Sequence, residues 1–163
     1  MRILKIFRET ISDGPGFRYS IYFSGCSHAC PGCHNEDSWN PDNGDLMDSE
    51  YFKKIVNEIN GNKMLSGITL SGGDPFYSPE ELLDFLVRLR EETRDIDIWC
   101  YTGYTMEQLV QDSVKKECLK YIDTIVDGRF IQEFHSEELS FRGSRNQRIV
   151  NVKEYIKDNN IEF

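Results

Sequence analysis

The chain has 163 residues, 39% hydrophobic and 29% charged. A chain of that size buries roughly 70% of its unfolded surface, so one domain, residues 1–163, with a real core is expected. A formal net charge of −9 opposes a general nucleic-acid binder, which needs a basic face to displace counterions. No run approaches the ~18 apolar residues of a membrane helix, and Met1–Arg8 lacks the unbroken apolar stretch of a secretory signal. A cytoplasmic location, with neither nucleic acid nor membrane as partner, is the expectation.

Arg2–Arg8 and Arg18–Ser24 read as strands, rich in aromatic and β-branched residues, with the turn Asp13-Gly14-Pro15-Gly16 between them. A helix follows over about Ser49–Asn60, with Phe52, Ile55, Val56 and Ile59 on one face. Gly67–Ser71 is the next strand and ends at Gly72-Gly73-Asp74-Pro75. Ser78, Pro79 and Glu81 then spell a capping box for a helix whose buried stripe is Leu82, Phe85, Leu86 and Leu89.

Asp95–Tyr101 is a further strand, and Thr105-x-x-Gln108 opens a helix expected to run to Lys120. Ile122–Val126 and Arg148–Val152 complete the set. Strands separated by helices of this length give βαβ units and a mostly parallel sheet. A closed eight-unit barrel takes ~250 residues, so about four or five units fit here and the α/β sheet is expected to be open. Chemistry in such sheets gathers at the carboxyl ends of the strands, where Cys26, Gly72-Gly73-Asp74, Tyr101-Thr102-Gly103 and Asp127-Gly128 all fall.

The segment Cys26-Ser-His-Ala-Cys30-Pro-Gly-Cys33-His34-Asn35 carries the decisive signal. Its three cysteines lie in a loop directly after a strand, and Pro31-Gly32 lets the backbone fold back so that the thiolates converge. Clustered cysteines in a cytosolic chain favour metal over disulfides. Structural zinc wants four closed ligands, usually as two separated pairs, and no second pair is present. His28 or His34 remains available as a fourth ligand for zinc, although His34 directly follows Cys33. A 4Fe-4S cluster takes four thiolates as a rule, so three leave one iron open to a small molecule. Cluster, zinc and free thiols all stand at this point, the cluster ahead. Cys100 and Cys118 sit in apolar surroundings and read as buried thiols.

Cys26-x3-Cys30-x2-Cys33 after a first strand, with Gly72-Gly73-Asp74 after the next, resembles the radical S-adenosylmethionine superfamily. That resemblance implies an open, partial (βα) barrel of the radical SAM type. It implies a 4Fe-4S cluster held by Cys26, Cys30 and Cys33, and S-adenosyl-L-methionine (SAM) seated by Gly32, Cys33, His34, Gly72, Gly73 and Asp74. SAM chelates the open iron and is cleaved reductively to a 5′-deoxyadenosyl radical. Many members carry an aromatic residue just before the last cysteine, where this chain has Gly32.

Asp13-Gly14-Pro15-Gly16-Phe17-Arg18, with Asn35 and Trp39 after the cysteines, is similar to the glycyl-radical activating enzymes. Arg142-Gly143-Ser144-x-Asn146-Gln147-Arg148 and Trp99-x-Tyr101-Thr102-Gly103-Tyr104 resemble the activating proteins of anaerobic, class III ribonucleotide reductases. The implied partners are a glycine loop on the reductase large subunit and an electron donor such as reduced flavodoxin. In some relatives, positions matching Asp13 and Asp127 hold a cation beside SAM. Arg142, Arg145 and Arg148, spaced by three, are candidates for a phosphate, a carboxylate or an acidic partner.

Overall fold

Along the central strands polar and apolar residues alternate, and that alternation decides which face of the sheet carries the core. The computed structural model describes residues 1–163. Its strands are β1 (Arg2–Thr10), β2 (Arg18–Phe23), β3 (Asp45–Leu46), β4 (Gly67–Gly72), β5 (Asp97–Tyr101), β6 (Thr124–Asp127) and β7 (Arg148–Asn151). They form one sheet of seven strands in the order β3-β1-β2-β4-β5-β6-β7. Pairings β2–β4, β4–β5 and β5–β6 are parallel. The outer pairings β1–β2, β1–β3 and β6–β7 are antiparallel. A parallel core is therefore flanked by antiparallel edges; at β1–β2 the short link from Thr10 to Arg18 allows only a hairpin-like return.

Helices α1 (Ser49–Gly61), α2 (Pro79–Glu92), α3 (Met106–Gln111) and α4 (Ser113–Cys118) supply the crossovers, and α5 (Val152–Asp158) follows β7. Tyr19, Ile21, Ile68, Leu70, Ile98, Cys100 and Ile125 point to the helical side. There they join Phe52, Ile55, Ile59, Leu82, Phe85, Leu89 and Leu109 in a single apolar cluster. The opposite face, at the alternating positions, carries Arg18, Ser20, Tyr22, Thr69, Ser71, Trp99 and Tyr101. A polar face this well covered is unusual for a core, and the candidate site lies at its carboxyl end.

Two local expectations change. The helix expected over Thr105–Lys120 breaks at Asp112, whose carboxylate accepts from the Val114 and Lys115 N–H groups and so starts α4 as a new helix. The Thr105–Gln108 capping box forms as expected. At α2, Ser78 makes no side-chain cap. Glu81 is drawn instead to the Met1 ammonium, and Asp74 caps the short 3-10 turn Pro75–Tyr77 ahead of the helix. No helix of the structure is long and apolar enough to cross a membrane.

Candidate functional site

The loop after β2 folds by ordinary turn chemistry. Cys33 N–H donates to Cys30 O at 3.1 Å, with Pro31 and Gly32 between and Gly32 at φ +77°. Proline then glycine at the two centres of a turn suits the type II geometry, which needs a positive φ at its second centre. The Asn35 N–H points at Cys33 Sγ, 3.4 Å away. Gly25 N–H donates to Ser38 O and Cys26 N–H to Trp39 O, which ties the loop to the 3-10 turn Glu36–Trp39.

The end of β4 packs directly on this loop. Gly73 N–H donates to Phe23 O and Asp74 N–H to Gly25 O, both at 2.8 Å. A Cβ at Gly73 would lie 2.5 Å from Gly25 O. The glycines thus make room for the protein's own backbone, a reason that requires no ligand.

One cavity of about 120 Å³ is lined by Cys26, Cys30 and Cys33 together with Gly72, Gly73 and Asp74. Tyr101, Thr102, Gly128, Phe130 and Gln147 close it. A neighbouring cavity of about 360 Å³ shares Cys33, Ser71, Tyr101, Phe130 and Gln147 and adds Asp13, Tyr22, His34, Asn35 and Arg142. Gly32 lines neither; it faces the Gln132 side chain.

The electrostatics sort the acids. Asp74 is 2% exposed. It accepts from His28 Nε2 at 2.7 Å and from Phe76 N–H, Thr102 Oγ1 and Gly103 N–H at 2.9 Å. Its charge faces the cavity wall, yet its oxygens are filled. His28 Nε2 is committed to the same contact, which removes His28 Nε2 as a fourth metal ligand. Asp127 lines neither cavity; its carboxylate is held by Arg148 and by Met106 N–H. Asp13, in the larger cavity, accepts from Tyr22 O–H at 2.6 Å. Burial pushes the Cys26 thiol up from its ordinary value, opposed by the backbone N–H groups of His28 and Ala29.

The three spaced arginines part company. Arg142 reaches Gln147 O at the wall of the larger cavity, Arg145 lies over the Phe134 ring, and Arg148 binds Asp127 and Glu107. They form no common anion site. Tyr22 and Phe130 are the site residues that sequence reasoning missed, since nothing marks them until β2, β4, β5 and β6 lie side by side. Thr102 and His28 did carry a signal, Thr102 at the carboxyl end of β5 and His28 inside the cysteine segment.

All three cysteines line one cavity. Structural zinc takes four protein ligands, and with His28 Nε2 held by Asp74 three soft thiolates suit an iron–sulfur cluster better by donor chemistry.

A family described as "4Fe-4S single cluster domain" matches residues 12–150. An anaerobic ribonucleoside-triphosphate reductase-activating protein of Haemophilus influenzae is 40% identical over 156 residues, 94% of this chain and 99% of the relative. The protein of that name from Escherichia coli K12 is 34% identical over 146 residues, 88% of this chain and 94% of the relative. Its counterpart from Enterobacteria phage T4 is 36% identical over 147 residues, 89% and 90% of the two chains.

Proposed function

The chain belongs to the family of anaerobic ribonucleoside-triphosphate reductase-activating proteins, which carry a 4Fe-4S single cluster domain, and from that premise we propose that it is a radical SAM activase for an anaerobic ribonucleotide reductase. In this reading residues 1–163 are one radical SAM domain and the open sheet is a partial (βα) barrel. The observation that carries it is the single cavity shared by Cys26, Cys30, Cys33 and Gly72-Gly73-Asp74.

Cys26, Cys30 and Cys33 hold the cluster, and the three-thiolate count leaves one iron for SAM. The chemistry supplied by the bound cluster is one-electron reduction of SAM, whose 5′-deoxyadenosyl fragment takes the α-hydrogen of a glycine on the reductase. Every other task falls to the protein: binding, orientation and exclusion of rival hydrogen donors. Cys33 and His34, which both border the larger cavity, would contact SAM there. Gly72 and Gly73 present backbone at the cluster end.

Tyr22 and Tyr101 would be the obvious hydrogen-atom thieves beside such a radical. Both rings line the larger cavity, but each phenol is engaged, Tyr22 O–H on Asp13 at 2.6 Å and Tyr101 O–H on Phe141 O at 2.7 Å. Burial raises both phenol pKa values. An open sheet suits a substrate presented on another protein, since the glycine loop itself can close the site. An electron donor such as reduced flavodoxin and a cytoplasmic setting belong to the same reading.

The test is anaerobic. Reconstituted protein, SAM, a reductant and the reductase are mixed, and electron paramagnetic resonance is recorded. A glycyl-radical doublet on the reductase is expected. A preparation that holds a 4Fe-4S cluster and cleaves SAM yet never yields that doublet ends the activase reading.

A further inference from the structure

Among the residues bordering the cavity, Asp74 is engaged in a way that direct ligand binding does not explain. An ionised carboxylate offers about four acceptor sites. Oδ1 accepts from Phe76 N–H, Oδ2 from His28 Nε2 and Gly103 N–H, and the single Thr102 hydroxyl proton lies within reach of both oxygens, so four donors meet the four sites. No lone pair is left for an ammonium group. Because a carboxylate only accepts, the assigned tautomer has the proton on His28 Nε2.

His28 lies between Cys26 and Cys30. Its ring stands edge-on to Tyr104, with centroids 4.6 Å apart, and its carbonyl accepts from Arg129. One carboxylate therefore fastens the cysteine loop to the turn after β4 and to the turn after β5.

We propose that Asp74 and His28 form a clasp that positions the cysteine loop for its cluster, so that Asp74 is a positioning residue acting through His28 and not a direct SAM contact. The inference rests on the reading that Cys26, Cys30 and Cys33 hold the cluster. Its physical basis is that residues behind metal ligands fix the ligands' orientation, and their loss costs about 10–100-fold in metal affinity or activity. A glutamine at position 28 can place its amide nitrogen near the site of Nε2; an alanine cannot.

The experiment uses the full chain, reconstituted anaerobically, in five forms: unchanged, His28→Ala, His28→Gln, Asp74→Asn, and the His28→Ala/Asp74→Asn pair. Three quantities are read: iron release to a ferrous chelator, the line shape of the reduced cluster in electron paramagnetic resonance, and SAM affinity by equilibrium dialysis. His28→Ala and Asp74→Asn should release iron about 10–100-fold faster with a broadened signal. His28→Gln should stay close to the unchanged chain. The double variant should be no faster than the faster single one, because both changes remove one interaction.

Weakened SAM binding in Asp74→Asn with unchanged iron release overturns the proposal and makes Asp74 a direct ligand. Multiplying effects in the double variant, or a His28→Gln as damaged as His28→Ala, overturn it too. Should His28→Ala fail to fold, the contrast between Asp74→Asn and His28→Gln decides on the same readouts. If the unchanged chain takes up no iron, it is the cluster reading that has failed, a separable result.

Discussion

Arg18 and Gly67 stand opposite one another in the register of β2 and β4, and the guanidinium fills the space that a side chain at 67 would take. Arg18 is fully buried. It donates to Thr69 Oγ1, Pro15 O, Ile68 O and the Asp97 carboxylate, and it lies over the Trp99 ring. One cation thus joins the Asp13–Gly16 turn to the starts of three strands, beneath the face that carries the site.

Gly67→Ala would place a Cβ 2.3 Å from Arg18 Nη2, so the guanidinium must leave at least one of its buried partners. Breaking a buried pair costs about 3–5 kcal/mol. With the Asp97 side chain partly open to water, the lower end, about 3 kcal/mol, is expected. Urea unfolding checks it: the midpoint should fall with the slope unchanged. A loss under about 1 kcal/mol, the ordinary effect of a point change, would mean that Arg18 adjusts freely.

Much of this architecture was readable in advance, for local reasons. Periodicity located β1, β2, β4, β5, α1 and α2 because their apolar positions repeat at 2 or 3.6. The two-residue β3 and the short α5 carry too few repeats to show. The break at Asp112 had a signal, an Asp followed by Ser, but continuous apolar spacing outweighed it. At the site, cysteine spacing revealed the loop because metal ligation imposes spacing. The commitment of Asp74 to His28 and Thr102, and of Asp127 to Arg148, depends on which strands become neighbours, and no local pattern records that.

Cys26→Ala, Cys30→Ala and Cys33→Ala should each lose the bound iron, since two thiolates cannot retain a cluster that three hold. Cys118→Ala should keep the full iron content, with a packing loss of about 1–2 kcal/mol from a fully buried site. Iron and sulfide analysis on anaerobically purified protein separates these outcomes. A cluster that survives Cys30→Ala but not Cys118→Ala would reverse the assignment of ligands.

The five thiols should also differ in reactivity. Burial pushes Cys118 up to about 12 and Cys100 well above its ordinary value. Because the reactive species is the thiolate, Cys118 at pH 8 presents only about one part in ten thousand of it. Cys26 and Cys33 are partly exposed. Iodoacetamide on the native iron-free protein at pH 8 should therefore label Cys26 and Cys33 and spare Cys100 and Cys118, while denaturant should open all five. Mass spectrometry of the peptides gives the answer. Prompt native labelling of Cys118 would show that the helical layer opens readily.

At the far edge, Arg148 bridges the buried Asp127 and the exposed Glu107. Arg148→Met leaves the Asp127 carboxylate with Met106 N–H as its remaining partner, and a buried acceptor that loses a charged partner costs about 1–3 kcal/mol. Glu107→Gln should cost about 0.5 kcal/mol or less, because its side chain is 55% exposed and water screens the pair. The hydrogen bonds from Arg148 hold the Glu107 carboxyl below its ordinary value of 4.5. A carboxyl lowered on folding stabilises the fold above its ordinary value, and that contribution disappears as pH falls through the lowered one. The small gap in unfolding midpoint between the unchanged chain and Glu107→Gln should therefore hold steady from pH 8 to about 5 and close below about pH 4. A gap that widened on acidification would mean that Glu107 is destabilised by its surroundings, and Arg148 would then serve Asp127 alone.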